Sequence, residues 1–256
     1  MKNKYAAALC ATTLLGASSV QAAIITHYDI DFSSPTHTLG SVPATGPSSD
    51  TPSSVVFGQP VVESSLGALS DQALVFNTTG NTTPCCFYDQ IELDLNAGYD
   101  NYQLSFDLST DNYVDSGSTN NFAVLFDTPQ VRRIDFENSG DVSTYQPFLG
   151  TSTIGTDVFD DNELLSMLVD IDLGLNTWDI FLNSSLLHSG FFDTSGSDIG
   201  SVRFSLGSAS TTHFDSVGLD NILLTSRVGV PEPSTLMLLG AGLLGFSQLR
   251  KARAHS

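Results

Sequence analysis

Between residues 24 and 226 the chain has no lysine, and its only bases there other than histidine are Arg132, Arg133 and Arg203. The same stretch holds 27 of the 28 acidic residues, so three arginines against 27 carboxylates give it a formal charge of −24. A surface of that sign does not neutralise phosphates, which excludes nucleic acid as a charge-driven partner. The absence of lysine also excludes a Schiff base and a Walker-type phosphate cradle from the middle of the chain. No Gly-x-Ser-x-Gly elbow occurs, and His27, His37, His188 and His213 are scattered without zinc-motif spacing. What is present is apolar: 41% of residues are hydrophobic and 16 are phenylalanine, enough to bury a core and too many for a disordered acidic tail. A middle of about 200 residues suits one domain of the size of a large β-sandwich.

The two ends differ from this middle. Lys2 and Lys4 precede an apolar stretch from Tyr5 to Ala17, and Val20-Gln21-Ala22 forms a small-residue site before Ala23. That order is the pattern of a cleaved secretory signal peptide over residues 1–22. At the other end, Pro231-Glu232-Pro233 interrupts strand-like sequence and Ser234 caps an apolar, glycine-containing run to Leu249. Arg250, Lys251 and Arg253 follow as a basic stop. Ordinary membrane helices need about 20 residues, so 234–249 reads as a short one ending in a basic cytoplasmic tail, 250–256. Gly240, Gly242 and Gly245 argue against a soluble helix and for a membrane one. The domain is therefore expected at 23–226, with 227–233 as a linker.

Pro231-Glu232-Pro233, the short Leu/Gly-rich helix and the terminal Arg/Lys cluster, in this order, resemble the PEP-CTERM sorting signal. The resemblance implies a Gram-negative protein exported by the secretory translocon and held transiently in the inner membrane. There exosortase would process its tail, leaving it at the cell surface or in the exopolysaccharide matrix of a biofilm.

Within the middle, short apolar or alternating runs recur between Gly, Asn, Asp and Ser. The runs are 24–32, 55–62, 73–77, 90–95, 102–108, 122–127, 131–136, 164–173, 177–183, 185–188, 201–206 and 213–225. Ile91-x-Leu93-x-Leu95 and Leu104-x-Phe106-x-Leu108 have the period of two of half-buried antiparallel strands. About a dozen strands predict an all-β fold of two packed antiparallel sheets. Ser33 to Ser54, rich in Ser, Thr, Pro and Gly, reads as a long surface loop. Residues 162–168 fit either a strand or one helical turn capped by Asp161. The segment 168–190 around Trp178, with Tyr102 to Leu108 and Val217 to Thr225, resembles concanavalin A-like or laminin G-like jelly rolls. A galactose-binding-domain-like jelly roll fits the first and last strands nearly as well.

Gln90-Ile-Glu92-Leu-Asp94-Leu-Asn96 resembles the catalytic strand of laminarinase-like enzymes, but Asn96 stands where a proton-donating glutamate belongs. The alternative is a strand with Glu92 and Asp94 on its outer face. Trp178 is expected in the core, while Tyr88, Tyr99, Tyr113 and Tyr145 lie near turns, where sugar rings could stack. Asp29 and Asp31 share one face of a strand, about 7 Å apart. The jelly-roll resemblance implies a structural calcium joining first and last strands, with Asp29 or Asp31 and Asp220 as its ligands. Asp160-Asp161-Asn162-Glu163 and Asp111 with Asp115 are two further acidic clusters. Solvated or turn-capping acids are the plainer account of each. Cys85-Cys86 are the only cysteines left after signal cleavage. They suit a strained vicinal disulfide, two free thiols or bridges between copies. The expected function is non-catalytic: an exported surface or matrix protein that binds extracellular polysaccharide through a lectin-like sandwich. The alternatives are a glycan-cleaving or glycan-modifying enzyme on the same scaffold and a purely structural matrix protein.

Overall fold

The computed structural model describes residues 23–33, 35–77, 86–95, 98–111, 121–127, 131–137, 139–192, 198–208 and 216–227. The signal peptide, Cys85, Asn96, Tyr113, Asp115, the Pro231-Glu232-Pro233 motif, the short apolar helix and the basic tail lie outside them. Ile24–Arg227 forms one compact unit, whose described residues make fifteen strands.

The strands follow the sequence periodicity closely where apolar residues alternate. One sheet is built from β1 (Ile24–Ile30), β3 (Val61–Glu63), β4 (Ala73–Asn77), β6 (Asn101–Asp111), β11 (Leu165–Asp172), β12 (Thr177–Leu182), β13 (Ser185–Phe191) and β15 (Ser216–Arg227). The other holds β2 (Ser54–Phe57), β5 (Cys86–Asp94), β7 (Asn121–Asp127), β8 (Arg132–Glu137), β9 (Val142–Gln146), β10 (Gly150–Gly155) and β14 (Ser201–Ser208). Their orders are β13-β12-β11-β6-β15-β4-β3, with β1 also on β15, and β10-β9-β8-β7-β14-β5-β2. Every pairing is antiparallel, so the molecule is the expected two-sheet sandwich.

The inner faces meet in one apolar cluster. Tyr102, Leu104, Phe106 and Leu108 of β6 point inward, as do Phe122, Val124 and Phe126 of β7, and all are essentially buried. Phe106 meets Phe204 edge-on at 5.2 Å between centroids, which carries the packing across the two sheets. Trp178 is in this core, 1% exposed.

One open segment is resolved and one hairpin is added, each with a physical cause. The open segment 162–168 is a turn at Asp161–Asn162 followed by β11; Asn162 sits at φ +58° and its N–H donates to Thr110 O at 2.9 Å. The chain also has a hairpin, β9–β10, that no apolar run announces, because Ser143, Thr144 and the polar Gly150–Gly155 replace the usual alternation. The 33–54 segment is a surface loop, tied down by buried Phe32, His37 and Thr51 at and within its ends. Gly40 N–H donates to Val62 O at 2.7 Å and Ser41 O accepts from Val62 N–H at 2.9 Å, so this loop covers the outer edge of β3.

Candidate functional site

Antiparallel register turns the outer face of the seven-stranded sheet into transverse rows, one residue per strand. One row reads Ser54, Glu92, Arg203, Leu125, Arg133, Tyr145 and Thr151, from β2 to β10. At the usual strand spacing it runs about 29 Å across the sheet. Arg133 and Arg203 are two of the three arginines of the acidic middle, and they flank the buried Leu125 from either side. Arg203 Nη2 donates to Asp127 Oδ2 at 2.5 Å, and its Nε stands 3.8 Å from Glu92 Oε1. Arg133 Nε donates to Asp135 Oδ2 at 2.7 Å while its guanidinium lies 5.0 Å from the Tyr145 ring centroid. The third arginine, Arg132, turns inward and stacks over Phe192 at 6.0 Å.

The neighbouring row holds Gln90, Ser205, Ala123, Asp135, Ser143 and Thr153. Gln90 and Ser205 are fully buried register partners, and among the described residues neither the Gln90 amide atoms nor Ser205 Oγ has a hydrogen-bond partner. Such groups are ordinarily satisfied by water or by a bound molecule. Burial pushes the Asp135 carboxyl up to about 6, against the opposing pull of Arg133. Ser143 Oγ donates to Glu137 Oε1 at 2.7 Å on the same face.

The outer face of the eight-stranded sheet has a different chemistry. Asp107, Asp170, Asp172 and Asp179 lie on it, and Asp170 directly faces Asp179 across β11 and β12. No arginine sits among these four; Arg227, the one arginine of this sheet, lies at the end of β15.

The residues expected from sequence fall as follows. Ile91 and Leu93 point into the core and leave Glu92 and Asp94 on the outer face. Glu92 Oε1 accepts from Ser201 Oγ at 2.7 Å, a partner set that fits a surface polar network better than a catalytic pair. Tyr145 belongs to the arginine row, whereas Tyr99 packs edge-on against His27 at 5.0 Å and Tyr102 at 6.0 Å. Tyr88 and Cys86 are on β5, with side chains outside the described residues.

The first and last strands do pair, and the Asp31 carboxylate stands close enough to Asp220 to raise its pKa. Among the described residues no group of three or more His, Cys, Asp or Glu side chains is placed to hold a metal ion. Asp29 and Asp31 are exposed, and Asp31 accepts from Ser33 N–H at 2.8 Å. Asp220 is buried where β15 bulges at Asn221, φ +51°, and its Oδ1 accepts from Phe32 N–H at 3.2 Å. It caps the end of β1, and burial raises its pKa. Asp160 N–H donates to Glu163 Oε2 at 3.1 Å, so that acidic cluster closes its own turn.

Sequence reasoning counted the three arginines but did not place two of them on one face. The available signal was Phe122-Ala-Val-Leu-Phe126, a strand apolar on both sides, whose outer Leu125 needs long side chains to cover it.

Residues 229–251 match the family model described as the PEP-CTERM protein-sorting motif, so the chain carries that motif at its C-terminal end. A comparison with curated proteins finds no match. Among solved structures, the chain is similar to a carbohydrate esterase from the Shiga toxin-encoding bacteriophage phi24B. The TM-score there is 0.57 at 10% identity, covering 80% of this chain and 99% of that one. A sialidase matches with TM-score 0.52 at 11% identity over 78% of this chain. The receptor binding domain of botulinum neurotoxin D has TM-score 0.44 at 12% identity over 66% of this chain. The chain spans 18% of the sialidase and 48% of the toxin domain. At these identities the first two likenesses establish the β-sandwich fold and nothing finer.

Proposed function

We propose that this is an exported, exosortase-sorted surface protein that binds a hydroxyl-rich polysaccharide on the outer face of its seven-stranded sheet, without catalysis. The observation that carries the reading is the row Glu92, Arg203, Leu125, Arg133, Tyr145. In a domain of formal charge −24, it concentrates cationic donors, carboxylate acceptors and an aromatic ring on one surface. Hydroxyls of a sugar donate to carboxylates and accept from guanidinium N–H groups, while its C–H face packs on tyrosine. Each arginine already has a carboxylate partner, so the row is close to neutral and favours a neutral polymer over a polyanion.

The PEP-CTERM motif supports delivery through exosortase, with the cell-surface matrix as the place where such a polymer is met. Retention of the exported protein on immobilised polysaccharides tests the reading. Tyr145→Ala should weaken binding about tenfold, the value of one aromatic contact of roughly 1 to 1.5 kcal/mol. Unchanged retention would remove the row from the ligand. Release of sugar from any tested glycan, lost in Glu92→Gln, would replace the binding reading with an enzymatic one.

A further inference from the structure

The two sheets end side by side at β10 and β13, where Gln146 Nε2 donates to Phe191 O at 2.8 Å. This side of the sandwich is free of charge. Residues 146–156 and 180–192 contain no Asp, Glu, Lys or Arg, although the surrounding unit carries 27 carboxylates. It also displays large apolar side chains: Phe148 is 73% exposed, and Leu149, Leu186 and Phe191 are each more than half exposed. Among the described residues β10 pairs only with β9, and Gly150 to Thr153 are exposed. Native proteins guard such edges with charge, proline or a covering loop. Here the opposite side follows that rule, since Gly40 and Ser41 cap β3, while β10 has only a register shift beyond Thr153.

We propose that a second copy of this chain docks on the β10–β13 side, with β10 pairing antiparallel to β10 of its partner about a two-fold axis. Charge selects this occupant and this surface. Two copies, each −24 over residues 24–226, repel wherever their acidic faces meet, and this stripe is where they approach without opposing carboxylates. Phe148 and Leu149, in the turn just before β10, then bury against the partner and add apolar area to the strand pairing.

Sedimentation of the full chain at tens of micromolar, under reducing conditions, in dilute and in molar sodium chloride, tests this. The expected result is a dimer whose dissociation constant falls as salt screens the residual repulsion. Phe148→Ser should raise that constant about tenfold or more. Ser152→Asp, which puts a carboxylate on each side of the two-fold, should yield monomers with an unchanged circular dichroism spectrum. A monomeric wild-type chain in molar salt overturns the proposal. So does a dimer that survives both substitutions, or binding of the exposed phenylalanine to lipid vesicles by a chain that stays monomeric.

Discussion

The two sheets of this sandwich share one core and present opposite chemistries to solvent. On the eight-stranded sheet, Asp170 faces Asp179 with Asp172 and Asp107 on the same face, a patch of one sign away from Arg227 at the end of β15. On the seven-stranded sheet, Arg203 sits between Glu92 and Asp127 and Arg133 lies against Asp135 and Tyr145. The inner faces answer to packing and are interchangeable in kind, whereas the outer faces record what each meets outside. A repulsive acidic sheet suits solubility, and a row of paired charges around an aromatic ring suits a ligand.

The largest effects should show the sheets to be equal. Phe106→Ala in the eight-stranded sheet and Phe204→Ala in the seven-stranded one each remove a buried ring from the same aromatic contact. Each should cost about 3–5 kcal/mol in chemical denaturation. A difference larger than about 2 kcal/mol between them would mean that the sheets do not share one cooperative core.

Acidity comes next. Asp135 has a folded pKa near 6 against an ordinary 3.8, so the folded state takes up its proton first as pH falls. Stability from this group is therefore gained between about pH 6 and pH 4 and lost again as pH rises through 6, on the order of 2–3 kcal/mol. Asp89 and Asp220, also raised by burial, act in the same direction. His27 and His188, lowered by burial, oppose it below pH 6.5. The difference between wild type and Asp135→Asn isolates the term: their stabilities should converge on acidification from pH 7 to pH 4.5. A pH-independent difference would contradict the assignment.

Much of this architecture is legible in the sequence, and the failures are instructive. Strands such as β4, 73–77, and β7 stand out because an unbroken apolar run, 73–76 and 122–126, fills each of them. The β9–β10 hairpin does not, since its register is set by pairing to β8 and serine, threonine and glycine make up most of its residues. The outward placement of Glu92 and the burial of Trp178 follow from alternation alone. The arginine row does not, because it joins residues 54, 92, 125, 133, 145, 151 and 203 through strand order, which local periodicity does not encode. The hydrogen bond from Phe32 N–H to Asp220, at the bulge of Asn221, is not legible either, because it joins the first and last strands.

Smaller effects sharpen the contrast between outer faces. Arg203→Ala leaves Glu92 and Asp127 without their shared cation and should cost about 0.5–1 kcal/mol. Asp179→Ala relieves a like-charge pair and should be neutral or stabilise by a few tenths of a kcal/mol. Chemical denaturation at low ionic strength checks both, and the same sign for the two would erase the distinction. Smallest of all, millimolar calcium after chelation should move the unfolding midpoint no more than magnesium does, because Asp220 is engaged by Phe32.

The most direct measurement is retention on a bound polysaccharide of two variants that each remove one charge, of opposite sign, Arg203→Ala on one sheet and Asp179→Ala on the other. The account predicts that Arg203→Ala loses most of the retention and Asp179→Ala keeps it. Retention lost with Asp179→Ala and kept with Arg203→Ala would contradict it and move the ligand to the eight-stranded sheet.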